Sequence, residues 1–188
     1  MFRLKPALFL ILFASGCVQN ERSETTVRTQ DTFFANLSAL CDAHFVGSST
    51  YPEVPDHPLV GTELRNHISE CTDNTIRIEL LRDGDYWHGA WVIEKRPDGL
   101  HLFHDHLGEV RTMQDLLASG DAHGYGGYAT NDGTEFRQYF AADDTTAAML
   151  PEAATNVWMM ELNPETGTFV YYLERHGQPR FRAVMNKL

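Results

Sequence analysis

Turn-forming clusters recur about every ten residues along this chain, and that spacing restricts its fold more than any other feature. Asp83-Gly84-Asp85, Pro97-Asp98-Gly99, Asn131-Asp132-Gly133, Asn163-Pro164-Glu165-Thr166-Gly167 and His176-Gly177-Gln178-Pro179 each supply residues that tolerate positive φ or preset a bend. Between them, runs rich in β-branched and aromatic residues predict strands at 60–70, 75–82, 86–96, 99–107, 122–130, 134–140, 155–162, 168–175 and 180–186. Most connections fall short of the dozen or more residues that a parallel crossover needs, so successive strands should be antiparallel neighbours.

A mainly β meander of eight or nine antiparallel strands follows from this pattern. It must close into a barrel or fold into a sandwich, because both arrangements protect the edge strands. The expectation is a lipocalin-like barrel, with the sandwich as the alternative. A helix should precede it and pack on it: Asp31 can act as N-cap, and Phe33, Phe34, Leu37, Leu40 and Cys41 recur at helical spacing to an end near His44. Met113–Leu117 and Thr145–Leu150 read as short helical excursions. Residues 31–188 then form a single disulfide-bearing domain, long enough for a real core.

The N-terminus carries an address. Arg3 and Lys5 precede an apolar run, Ala7 to Ala14, far shorter than the roughly 20 residues that span a bilayer. The run ends in Ala14-Ser15-Gly16-Cys17, small residues before a thiol, which is what a lipoprotein signal peptidase admits. Residues 1–16 are expected to be removed as a signal peptide and Cys17 to be lipidated with chains such as palmitate; an ordinary secretory signal is the alternative. Val18 stands where aspartate would mark inner-membrane retention in enterobacterial lipoproteins, which implies the outer membrane of a Gram-negative cell. Residues 17–30 comprise the lipidated cysteine and a polar stretch without apolar period, expected to be a flexible tether.

Cysteine use agrees with export. Setting Cys17 aside leaves Cys41 and Cys71, which an oxidising compartment should join in a disulfide; a metal pair is the alternative, but no C-x-x-C spacing supports it. The net charge of −11 becomes −13 once the signal leaves with Arg3 and Lys5, and no basic cluster remains. Nucleic acid is therefore excluded as an expected partner, and a membrane should be met only through the lipid on Cys17.

The chemistry concentrates in Leu100-His101-Leu102-Phe103-His104-Asp105-His106. On a strand, His104 and His106 share one face with Leu100 and Leu102, while His101, Phe103 and Asp105 take the other. Two histidines so placed can contact a ligand or share a metal, and His123 or His88 could complete a three-nitrogen site. The plainer role is structural, with both rings bonded to carbonyls at a strand end. No cofactor is predicted beyond this candidate metal set of His104, His106 and His123. Gly124-Tyr125-Gly126-Gly127-Tyr128 lacks a P-loop lysine and reads as a bulge or barrel corner, although Tyr125 and Tyr128 are candidates to line a cavity. The strand aromatics, including Trp87 and Trp91 expected on one face, read mostly as core. No Gly-x-Ser-x-Gly elbow or acid pair is present, and Ser119, Asp121 and His123 are close only in sequence, so an enzyme is the least supported class.

The start Phe33-Phe34-x-x-Leu37-x-x-Leu40-Cys41-x-x-x-Phe45-x-Gly47, Glu70-Cys71 before Ile76-Arg77-Ile78, Trp91-Val92-Ile93, the His104-Asp105-His106 segment and Asn156-Val157-Trp158 together resemble a family of small secreted or lipid-anchored bacterial proteins. The likeness spans most of residues 31–186. It implies an exported domain with the cysteine pair and the His-Asp-His segment, and no particular activity. That family often continues the segment to a further histidine, where this chain has Leu107-Gly108-Glu109, which weakens the metal reading. Three classes remain: a barrel that binds a small apolar or amphipathic ligand, a structural or interaction lipoprotein with a filled barrel, and a histidine- or metal-dependent enzyme.

Overall fold

The computed structural model describes residues 16–51, 59–106 and 124–188. Helix α1 (Gly16–Ser38) is followed by strands β1 (His44–Tyr51), β2 (Leu64–Cys71), β3 (Thr75–Arg82), β4 (Tyr86–Arg96), β5 (Gly99–Asp105), β6 (Gly124–Ala129) and β7 (Arg137–Ala142). A short helix α2 (Asp144–Met149) and a 3-10 turn (Pro151–Ala153) lead to β8 (Asn156–Asn163), β9 (Thr168–Arg175) and β10 (Gln178–Lys187). Every strand pairs antiparallel with its sequence neighbour, and β1 pairs with both β2 and β10. The ladder closes on itself as a ten-stranded up-and-down barrel, which excludes the sandwich.

The strand count corrects the expected eight or nine. The strand that sequence reading missed is β1, where Val46-Gly47-Ser48-Ser49-Thr50 offers little apolar contrast and the preceding helix was expected to run to His44. The helix instead stops at Ser38, and a turn spanning residues 39–42 delivers the chain to β1. Its start also differs: the backbone is helical from Gly16, so residues 17–30, expected as tether, continue the helix that Asp31 was expected to begin. The excursion expected at Thr145–Leu150 is α2, and the one at Met113–Leu117 lies outside the described residues.

One end of the barrel is closed by α1. Phe33 and Leu37 are fully buried and join Phe45, Ile68, Ile76, Ile93, Leu162, Phe169 and Met185 in one apolar cluster. Gln30 caps the β4–β5 turn by accepting from the Leu100 N–H at 3.0 Å, Asn36 donates to the Glu135 carbonyl, and the Lys95 ammonium lies over the Phe34 ring. The Cys41–Cys71 disulfide ties the chain just after α1 to the end of β2, with the two Cα atoms 6.1 Å apart. In the chain-entropy account, closing a loop of this length stabilises the fold by roughly 3 to 4 kcal/mol.

The outward faces of β3 to β5 carry an ion-pair network. Arg77 donates to Glu79 at 2.6 Å and to Asp105 at 3.0 Å, and the Trp87 indole donates to Glu79. Glu79 is thus engaged where strand alternation alone suggested a solvated position. Trp87 also departs from expectation. Leu80 pairs with Gly89 but Leu81 with Trp87, so β4 holds one extra residue, His88, opposite a single step of β3. That bulge turns Trp87 outward while Trp91 stays in the lumen.

Candidate functional site: a buried histidine in the barrel lumen

The lumen end opposite α1 is lined differently. Regular alternation along β5 sends Leu100, Leu102 and His104 inward in sequence, and the His106 ring, one residue beyond the strand, lies 4.2 Å from that of His104. His104 pairs across strands with Trp91 on β4 and Tyr125 on β6. Its ring sits 5.6 Å from Trp91, 5.2 Å from Tyr125 and 6.3 Å from Tyr171, which reaches across from β9 to within 4.3 Å of the Trp91 ring. Tyr125 stacks on Trp158 at 5.6 Å, extending the aromatic wall to β8.

Polarity in this wall is sparse and incompletely satisfied. His104 is buried, and neither of its ring nitrogens has a hydrogen-bond partner among the described residues. Burial, reinforced by the charges of His106 and His88, holds its pKa well below the usual histidine value, so the ring is neutral and offers one donor and one acceptor. The indole N–H of Trp158 is likewise unpartnered among the described residues. His106 is engaged: its Nε2 lies 3.0 Å from the Tyr125 hydroxyl. Burial pushes Tyr125 up to about 12, against a small opposing effect of Arg175, and drives Tyr171 well above the ordinary tyrosine value. Both phenols are therefore hydrogen-bonding groups and not anions at neutral pH.

Gly89 lies against the two imidazoles: a Cβ there would stand 3.0 Å from the Asp105 carbonyl oxygen and 3.5 Å from both His104 Nε2 and His106 Nδ1, so a side chain at this position would crowd the β5 backbone and both rings. Among the described residues, no third metal-ligating group converges on these histidines. His88 approaches only to 6.2 Å between its ring and that of His106.

The expected site residues divide cleanly. His104, His106 and Tyr125 come together at the lumen end opposite α1, whereas Tyr128 lies on the other face of β6 with its ring 4.8 Å from His101. Tyr125 and Tyr128 are three residues apart, an odd step on a strand, so they point to opposite sides. His123 and the Ser119–His123 stretch lie outside the described residues. The glycines between the tyrosines serve packing: a Cβ at Gly127 would stand 1.7 Å from the Ala141 carbonyl oxygen, so only glycine lets β6 approach β7 there. Sequence reading assigned Trp91, Trp158 and Tyr171 to the core. Strand parity alone could have placed Trp91 beside His104, but Tyr171 joins them only through closure of the barrel.

No protein-family model matches the chain, and no curated protein is similar to it.

Proposed function

We propose that the lumen end opposite α1 binds a small amphipathic molecule, with an apolar or aromatic body against Trp91, Tyr125, Trp158 and Tyr171 and a polar group on His104. The observation that carries this reading is His104 itself. Leaving a polar side chain buried without a partner costs about 1 to 3 kcal/mol, and natural chains retain such a cost mainly where the group has work to do. An aromatic lining with a few polar groups is also what a small-molecule site requires. His101 on the same strand differs: its Nε2 donates to Asp143 at 3.0 Å, and only its Nδ1 is left without a partner among the described residues.

The address belongs to the same reading. The signal-like residues 1–16 and the lipobox-like run to Cys17 support a lipid-anchored envelope protein, held in the outer membrane of a Gram-negative cell. The motif likeness supports kinship with small secreted or lipid-anchored bacterial proteins. Labelled palmitate should enter the parent and not C17A; equal labelling would remove the anchor.

The ligand is tested by native mass spectrometry of the chain exported to a periplasm and purified without chelators, beside H104A/H106A. A small molecule carried by the parent and lost from the variant is the expected result. Bare protein in both, together with no quenching of Trp91 and Trp158 fluorescence by amphipathic probes, would transfer the reading to an interaction lipoprotein with a filled barrel.

A further inference from the structure

The closed end carries a second cluster of chemistry-bearing side chains, away from the lumen. His44 opens β1 and pairs directly across the ladder with His67 on β2. Their rings are stacked with centroids 4.1 Å apart and an interplanar angle of 8°. Asp42, in the turn before β1, brings its Oδ1 to 3.2 Å from His67 Nε2. One ligating atom from each of the three side chains lies within 4.8 Å of the others.

We propose that Asp42, His44 and His67 form a surface site for a divalent transition-metal ion, with Zn(II) as its probe, water completing the coordination. Two imidazoles and a carboxylate are a donor set that suits Zn(II) and its neighbours and disfavours Ca(II) or Mg(II), which prefer oxygen. Ligand atoms around tetrahedral zinc stand about 3.4 Å apart, and because the two rings are stacked, one of them must turn out of the stack for both lone pairs to meet on the ion. The backbone beneath it is held on every side. Asp42 follows a disulfide-bonded cysteine, its N–H donates to the Ile68 carbonyl at 2.9 Å, and the Ile68 N–H donates back to Ala43 at 3.1 Å. Asp42 adopts φ +65, a left-handed conformation that aspartate tolerates better than most residues and that turns its carboxylate toward the strand pair. The backbone that carries the ligands need not be ordered by the metal, because the turn, the disulfide and the ladder have ordered it already.

An ion here joins the α1–β1 turn to β1 and β2, so binding should be read as thermal stability. The experiment uses the full exported chain, purified in detergent without a polyhistidine tag, stripped with EDTA and titrated with ZnCl2. The expected result is one zinc per chain by native mass spectrometry and a Tm rise of about 5 to 10 °C at a hundredfold excess over Kd. Both should vanish in H44A/H67A and weaken in D42N, and both should persist in H104A/H106A. In the parent itself, imidazole nitrogen resonances of His44 and His67 should shift on zinc addition, a readout that needs no variant. The proposal is overturned by absence of a shift, by a shift that survives H44A/H67A, or by one lost with H104A/H106A, which would place the ion in the lumen.

Discussion

At the plugged end, Phe33, Leu37, Phe45 and Phe169 fill the lumen with apolar contacts, Gln30 and Asn36 on the capping helix are hydrogen-bonded, and Asn66, across from Phe45, has neither amide atom partnered among the described residues. At the opposite end the lumen is lined by aromatic rings, and His104 and the Trp158 indole lack partners among the described residues. Asn66 apart, the first arrangement is what stability alone would select. The second keeps polarity where a filled core would have placed leucine. The contrast teaches that one barrel can divide its length between holding itself together and presenting a site.

The largest effect should come from emptying the plug. Phe33→Ala leaves a cavity that the helix cannot collapse into, and denaturant unfolding should register a loss of about 3 to 5 kcal/mol, with ligand retention by the folded fraction unchanged. A cost under 1 kcal/mol would show that α1 is an ornament on a self-sufficient barrel and would break the comparison. Next is C41A/C71A, expected to cost roughly 3 to 4 kcal/mol and again to spare the opposite end.

A smaller and sharper pair contrasts two histidines three residues apart on β5. H101A removes the donor to Asp143, whose carboxyl burial would raise but which the His101 bond, with those from Thr146, holds below its ordinary value. Asp143 also caps α2, and Thr146 bonds both the N–H and the carbonyl of Gly126, so the loss should spread and cost about 1 to 3 kcal/mol. H104L removes an unpartnered group from an apolar wall and should leave stability unchanged or raise it, while abolishing retention of the small molecule. A loss in H104L equal to that in H101A would make His104 structural.

Much of the strand order was legible because it rests on turns: the end of β3, both ends of β4 and the start of β9 follow from Asp83-Gly84-Asp85, Pro97-Asp98-Gly99 and Asn163–Gly167, which act locally. The strand β1 was hidden for the opposite reason. Its identity depends on pairing with β10, more than a hundred residues later in the chain, and Gly47-Ser48-Ser49 has no local preference to announce it. The Asp42–His44–His67 cluster was hidden with it, since only the β1–β2 register brings His44 to His67. In the lumen, alternation along β5 sufficed to put His104 and His106 together. The bulge at His88 did not show, because nothing in Trp87-His88-Gly89 signals an extra residue, and it reversed the expected direction of Trp87.

The smallest effect is a pH slope, and it tests the burial of His104 directly. Its native pKa lies well below the unfolded value near 6.5, so between the two only the unfolded chain takes the proton. The unfolded state then binds more protons, and stability must fall as pH drops below about 6.5, by up to 1.4 kcal/mol per pH unit until the native ring is protonated. Above 6.5 the contribution is flat. The quantity to measure is the difference between parent and H104L in unfolding free energy from pH 7.5 to pH 5, which isolates His104 from the rest of the chain. The parent should weaken more steeply, and a saturating ligand that donates to the lone pair of neutral His104 should carry the loss to lower pH, since protonation removes that acceptor. Parallel curves would mean that His104 is protonated in the folded protein, which requires a counter-charge or water in the lumen around it and would turn the apolar site into a polar one.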